Sequence, residues 1–265
     1  MKVAITGATG FLGRYLVSYL LDNLYDVLII TRGEERAKEY LPAGVNVYVT
    51  DYSFESLCEG LKEVETIIHL AAQTMQRDSD PFRVSQFFAV NITMTENLLL
   101  AAKQVGVQKV CQMSSNSVYS SENKIPFNEK DNPIPATIYG VSKVYAEKLG
   151  EYFSYKSEVK VISLRLARLF GYGERSSVVF TKYMNLANDG KLLEVWGEGK
   201  TRIEYLYVKD AVVAIENAVR MDIPNGIYNV GVNRSYSVLE IAKSVNIITG
   251  NTDNLIIDKS KLEGG

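Results

Sequence analysis

Glycines at positions 7, 10 and 13 constrain this chain more than any other feature. Before them stand Lys2 to Thr6, which read as a short buried strand. After them, Phe11 to Leu24 carries apolar residues at helical spacing. A strand, a turn and a helix in so short a stretch need a tight turn, close approach of its backbone to a neighbour, and close helix–strand packing. Glycine meets each need by lacking a Cβ. The helix N-terminus then offers unpaired N–H groups and a partial positive charge, which suit phosphate. The triplet by itself also fits a plain turn. The strand before it and the helix after it favour a dinucleotide pyrophosphate, with Gly7, Thr9, Gly10, Phe11, Leu12 and Gly13 as the expected contacts.

Strands and helices alternate onward from there. Strands are expected at 27–31, 45–50, 66–70, 109–114 and 160–166, and helices at 54–61, 90–106 and 138–155. This alternation predicts an α/β fold, a Rossmann-type doubly wound parallel sheet with both faces covered. After Gly171 the elements are shorter and mixed: helices at 178–189, 210–220 and 238–249, strands at 192–196, 204–208, 228–230 and 255–258. The expected organisation is a dinucleotide-binding domain over residues 1–171 and a smaller mixed α/β substrate lobe over 172–265, interleaved with the main sheet. Residues 262–265 read as a trimmed end, with further C-terminal residues expected.

Charge and composition exclude several classes. The 29 Lys and Arg residues against 31 Asp and Glu leave no basic excess for nucleic acid. No segment has the apolar length of a membrane span, and the start has no signal-peptide stretch, so a cytoplasmic protein is expected. His69 is the single histidine, and Cys58 and Cys111 fit no zinc spacing, so no metal site is expected. His69 is assigned a core or strand-end role, and Cys111 a buried thiol.

The end of the second strand reads Ile30-Thr31-Arg32. An acid that would grip the adenosine ribose of NAD is missing there, and Arg32 suits a 2′-phosphate, which leans toward NADP. Alternatively Arg32 is simply solvent-exposed and backbone groups near Thr31 hold the ribose. Asp51, beside Tyr52 at the tip of the third strand, accepts a hydrogen bond from adenine or caps the next helix.

Tyr139 and Lys143 stand four apart at the start of a helix and share a face. An ammonium beside a phenol, together with an oxidised nicotinamide, favours the phenolate. A lowering of two or three units, about 1.4 kcal/mol each, is expected. Such a phenolate can take the proton of a sugar or alcohol hydroxyl. An exposed helix pair is the alternative. Ser114 to Tyr119 follows the fifth strand, at the sheet edge where active sites assemble, although a serine-rich strand exit also makes an ordinary turn.

The motifs TGATGFLG, HLAA (His69 to Ala72), SSNSVY, YGVSK and LRLARLFGYG (Leu164 to Gly173) occur in a fixed order over nearly the whole chain. Together they resemble the extended short-chain dehydrogenase/reductase family, in its NAD-dependent epimerase/dehydratase group. The resemblance implies Tyr139 as base, Lys143 as the residue that holds the ribose and acidifies the tyrosine, and Ser115 as a third catalytic hydroxyl. It also implies that Leu70, Ala71 and Ala72 line the cofactor, NAD or NADP, and that Asn91 braces the site. Members that dehydrate nucleotide-sugars carry an Asp-Glu pair where this chain has Asn116 and Ser117, so those two become substrate contacts and a 4,6-dehydratase is disfavoured.

YGVSK, LFGYGE, VWGEGK and EYLYVKDAV look most like the sugar 4-epimerases, with a 4-keto-sugar reductase using NAD(P)H as the alternative. A non-catalytic dinucleotide sensor is a third reading, but such relatives lose the Tyr or Lys kept here. Two positions depart from the family. Arg168 stands near a usual Asn that contacts substrate diphosphate, and the usual Arg before the acid of the EYLYVKD segment is Ile203, with Arg202 one earlier. A bulge that restores Arg202 to a pocket, or a different phosphate grip, are both open. Apolar residues beyond one core face at 90–106 and 138–155 suggest a homodimer, as in relatives.

Overall fold

In a computed structural model, residues 1–75, 80, 82–174 and 178–262 are described; the tail at 263–265 lies outside them. The first half runs β1 (Lys2–Thr6), α1 (Phe11–Asp22), β2 (Asp26–Thr31), α2 (Glu34–Tyr40), β3 (Asn46–Val49), α3 (Phe54–Gly60) and β4 (Thr66–His69). A three-residue α4 (Ser85–Phe87), a π-helical segment (Phe88–Thr93) and α5 (Met94–Val105) follow. Next come β5 (Lys109–Ser115), a 3-10 turn (Asn116–Val118), α6 (Ile138–Lys156), β6 (Lys160–Leu166) and β7 (Arg168–Phe170). The rest is α7 (Val179–Asn188), β8 (Leu193–Trp196), β9 (Arg202–Tyr207), α8 (Val208–Arg220), β10 (Gly226–Val230), β11 (Ser235–Ser237), α9 (Val238–Thr249) and β12 (Leu255–Asp258).

Seven strands form one parallel sheet in the order β10-β6-β5-β4-β1-β2-β3. Its central strands are apolar without alternation because helices cover both faces. Val3, Ala4 and Ile5 of β1, and Ile67 and Ile68 of β4, are fully buried. On one face Ala4, Ile30, Ile67, Val110 and Val161 meet Leu57 of α3, Leu98 and Leu99 of α5, and Phe153 of α6. Each such leucine contributes roughly 1.5–3 kcal/mol of burial. Strand order reverses between β1 and β4, so the crevice at their carboxyl ends is where a doubly wound sheet binds its ligand.

The chain divides into two compact units. The first holds residues 1–166 and 209–230, the second 167–208 and 231–265. Thus α8 after Val208, together with β10, both inside the stretch assigned above to the smaller lobe, belong to the first unit. There β10 adds a seventh parallel strand beside β6, with Tyr228 opposite Leu164. In the second unit β11 pairs antiparallel and β7 parallel with β9, while β8 and β12 form a parallel pair. Tyr183, Leu193, Val195, Tyr205, Ile241 and Val245 make its own core. A capping box between Ser237 and Glu240 starts α9, and Gly250 in the left-handed region ends it.

Candidate active site

The glycine turn is built as the spacing demands. Gly7 adopts φ +72°, and a Cβ there would lie 2.5 Å from the Ala71 nitrogen. The turn therefore rests directly on the backbone that leaves β4. Gly13 lets α1 lie on the same turn, since a Cβ would come 2.5 Å from the Ala8 and Gly7 carbonyl oxygens. Gly10 is the N-cap of α1 and offers no side chain to its first turn. The first helical bond is Arg14 N–H to Gly10 C=O at 3.0 Å, so the N–H groups of Phe11, Leu12 and Gly13 stand outside the helical ladder. Bare backbone donors on a hydrogen-only turn fit a dinucleotide pyrophosphate.

Polar side chains lock the strand exits around this turn. His69 is buried between two threonines, with Nδ1 2.7 Å from Thr6 Oγ1 and Nε2 3.0 Å from Thr95 Oγ1. Burial, helped by the Lys143 charge, pushes its pKa down to about 3, so the ring is neutral. Its place is the strand end. Thr6 Oγ1 also accepts from the Ala71 N–H at 3.2 Å, which fixes the half-buried Leu70-Ala71-Ala72 segment. Asn91 lies in the π-helical segment, whose extra residue per turn rotates a buried amide inward. Its Oδ1 accepts from Gln73 N–H at 2.7 Å, and its Nδ2 donates to Gln73 C=O and Ser142 Oγ, each at 2.9 Å. One amide thus ties the β4 exit to α6.

Thr137 caps α6 by accepting from the Gly140 N–H at 3.1 Å. A Cβ at Gly140 would overlap the Ser117 carbonyl oxygen, so the start of α6 sits on the turn after β5. This contact brings together Tyr139, Lys143 and Ser115. The Lys143 ammonium lies 5.8 Å from the centre of the Tyr139 ring and donates to the Met113 carbonyl at 2.8 Å. Ser115 Oγ accepts from the Ser117 N–H and donates to Ser117 Oγ, both at 3.1 Å.

The protein's own groups raise the phenol rather than lower it. Burial pushes the Tyr139 pKa up to about 12, and only a hydrogen bond with Ser115 opposes it. Burial also lowers Lys143 to about 8, against the pull of Glu147.

Beneath the pair lies a buried network that the motifs did not single out. Glu147, one turn after Lys143, binds Arg165 of β6 through both carboxylate oxygens, at 2.8 and 2.7 Å. The two side chains are 1% and 2% exposed. Ser114 donates to the same carboxylate at 2.5 Å. Arg165 also donates to the Tyr119 hydroxyl at 2.5 Å and stacks over that ring at 4.9 Å. Tyr119 in turn reaches the Asn128 carbonyl at 3.1 Å and Asn229 at 3.0 Å. An arginine in the apolar run of β6 was the available signal, since a charge between two covered sheet faces must find a buried partner.

The other candidates are placed by their own contacts. Thr31 Oγ1 accepts from the Gly33 N–H at 3.3 Å, and Arg32 is exposed. Asp51 is exposed and accepts from the Ser53 N–H at 2.8 Å; the Ser53 hydroxyl and then this N–H hold its carboxyl below the usual range. Ser53, not Asp51, caps α3. Tyr52 is a core residue whose hydroxyl donates to the Ile30 carbonyl at 2.9 Å. Asn116 and Ser117 form the half-buried turn after Ser115. Arg168 and Arg202 belong to the second unit and are exposed. Arg202 donates to Ser235 Oγ at 3.0 Å and to its carbonyl at 2.5 Å, and pairs with Glu240 at 3.3 Å. The β9–β11 ladder runs residue by residue from Arg202 to Glu204, with no bulge.

Among the described residues no group of His, Cys, Asp or Glu could hold a metal ion, and no helix is long and apolar enough to cross a membrane.

Comparison with known proteins adds three kinds of likeness. The sequence model of the NAD dependent epimerase/dehydratase family matches residues 3–231. The UDP-N-acetylglucosamine 4-epimerase of Bacillus cereus shares 30% identity over 100% of this chain and 87% of its own, with a TM-score of 0.88. The UDP-glucuronic acid 4-epimerase of Bacillus cereus, solved with UDP-glucuronic acid and NAD, shares 25% identity over 98% of this chain and 86% of its own, with a TM-score of 0.86. The dTDP-D-glucose 4,6-dehydratase of Mus musculus is 26% identical over 92% of this chain and 72% of its own length.

Proposed function

This chain belongs to the NAD-dependent epimerase/dehydratase family, and we propose that within it the protein is a nucleotide-sugar 4-epimerase. One observation carries the choice. The turn after Ser115 presents Asn116 and Ser117, whose amide and hydroxyl are neither acid nor base at neutral pH. Glu147, the carboxylate beneath, has its oxygens taken by Arg165 and Ser114. Elimination of water would need a free carboxyl pair, which on this reading is not found among the described residues of the site; epimerisation needs only one proton moved to and from the 4-hydroxyl.

Bound NAD supplies a reversible hydride acceptor. The glycine turn and the uncapped start of α1 would hold its phosphates, Leu70, Ala71 and Ala72 would contact it, and Asn91 would brace the site. Tyr139 removes the proton of the sugar hydroxyl and returns it, the charges of Lys143 and of the bound oxidised nicotinamide together offsetting the burial that raises the phenol, while Ser115 holds that oxygen and Lys143 the ribose. Arg168 and Arg202 are the proposed anion contacts for the nucleotide diphosphate. A keto-sugar reductase is the second reading, favoured by the exposed Arg32 at the end of β2. The homodimer belongs to the same proposal: Phe88, Leu100, Val141, Tyr145 and Tyr152 leave an apolar face open on the π-helical segment, α5 and α6. A monodisperse monomer by light scattering at micromolar concentration would count against it.

The test is incubation with UDP-, dTDP- and GDP-sugars, with and without NADPH, followed by NMR and mass analysis. Isomerisation without net cofactor use supports the epimerase. Gain of two hydrogens by a keto sugar supports the reductase. Cofactor binding without turnover of any sugar supports a sensor.

A further inference from the structure

We propose that Glu147 is a positioning residue for the Tyr139–Lys143 pair: pinned by Arg165 and Ser114, its carboxylate is a fixed counter-charge one turn beyond the buried Lys143 ammonium on the same face of α6. The inference rests on the reading of Lys143 as a cofactor contact.

Three features of the geometry point this way. Tyr139, Lys143 and Glu147 recur every four residues and so follow one face of α6. Lys143 and Glu147 are 6% and 1% exposed, where an unpaired ammonium would be strongly disfavoured. The Glu147 carboxylate cannot swing toward Lys143 or away from it, because a bidentate guanidinium and a serine hydroxyl fix its plane. Arg165 is fixed in turn by Tyr119, which is anchored to Asn128 and, on β10, to Asn229. The edge strand that returns to the sheet late in the sequence thus helps to set a charge beside the centre.

The groups that face Lys143 can be named element by element. Tyr139 and Glu147 lie on α6 itself, the Met113 carbonyl on β5, the neutral His69 on β4, and Arg165, beyond Glu147, on β6. Of these, Glu147 favours the charged lysine, and its charge offsets part of the lowering that burial imposes.

The test uses the full chain and needs no sugar. NAD affinity is measured by calorimetry as a function of pH, beside thermal unfolding. With Lys143 as a cofactor contact, affinity falls as that lysine deprotonates, and Lys143→Met removes the fall. In Glu147→Gln the fall moves to lower pH by about one unit, because the counter-charge is gone and Arg165 is left unpaired. In the double variant Glu147→Gln with Arg165→Met both charges are absent, so the fall lies between the wild type and the single variant. This arm keeps the proposal testable where the single variant fails to fold. Superimposable pH profiles for the wild type and the double variant, whatever their stabilities, would assign Glu147 a purely structural role and overturn the proposal. That outcome leaves the epimerase reading intact, whereas failure of every sugar to turn over leaves this one intact.

Discussion

The two units solve opposite problems. In the first, the polar groups beside the strand exits are buried and matched: His69 to Thr6 and Thr95, Asn91 to Gln73 and Ser142, Glu147 to Arg165. In the second, polar candidates stand outside a mixed aliphatic and aromatic core, and the Arg202 side chain is 54% exposed. Matching in the interior fixes a geometry, since each partner left alone would incur the full desolvation cost of a polar group. Exposed cations keep their solvent and their rotamers, and can be exchanged at small cost. On the proposed reading, the first unit would hold one chemistry and the second could vary what is recognised.

That contrast can be broken by substitution. Tyr139→Phe should lower turnover by about a thousandfold, within the range for loss of general acid–base catalysis, with NAD affinity nearly unchanged in calorimetry. Near-normal turnover would remove the centre from the first unit. Arg165→Met should destabilise by about 3–5 kcal/mol in denaturant unfolding, because it strands a buried carboxylate. Gly7→Ala should cost about 1–3 kcal/mol and most of the NAD affinity, since the residue combines a left-handed φ with contact against Ala71.

A pH titration sharpens the same point. The unfolded chain takes a proton on histidine near pH 6.5, whereas folded His69 resists until about 3. Stability should therefore fall as pH is lowered through that window, and His69→Gln should flatten the fall. Arg202→Ala should change stability by only about 0.2–1 kcal/mol. A loss as large as that of Arg165→Met would erase the distinction between the units.

The sequence made the first unit legible where spacing carries geometry. Gly7, Gly10 and Gly13, and the pair Tyr139 and Lys143, sit as their intervals require. Elements without an apolar period were not readable. The α2 segment EERAKEY buries only Ala37 and has no stripe, and β7 and β11 are three residues each. The π-helical turn that aims Asn91 reads as ordinary helix, because one extra residue per turn hardly disturbs the pattern. The Glu147–Arg165 pair joins residues 18 apart on different elements, which no local motif records. Spacing reports the proximity of Lys143 to Tyr139 and says nothing of the burial that raises the phenol.

On this account one half-buried tyrosine moves a proton at carbon 4 of a nucleotide-sugar while the hydride leaves and returns. The most direct measurement is turnover of UDP-sugars carrying deuterium at carbon 4, read by NMR and mass spectrometry. The account predicts an isomer mixture in which the deuterium stays at carbon 4 and the mass is unchanged. A product that has lost the elements of water, or has moved the deuterium to carbon 6, would contradict it.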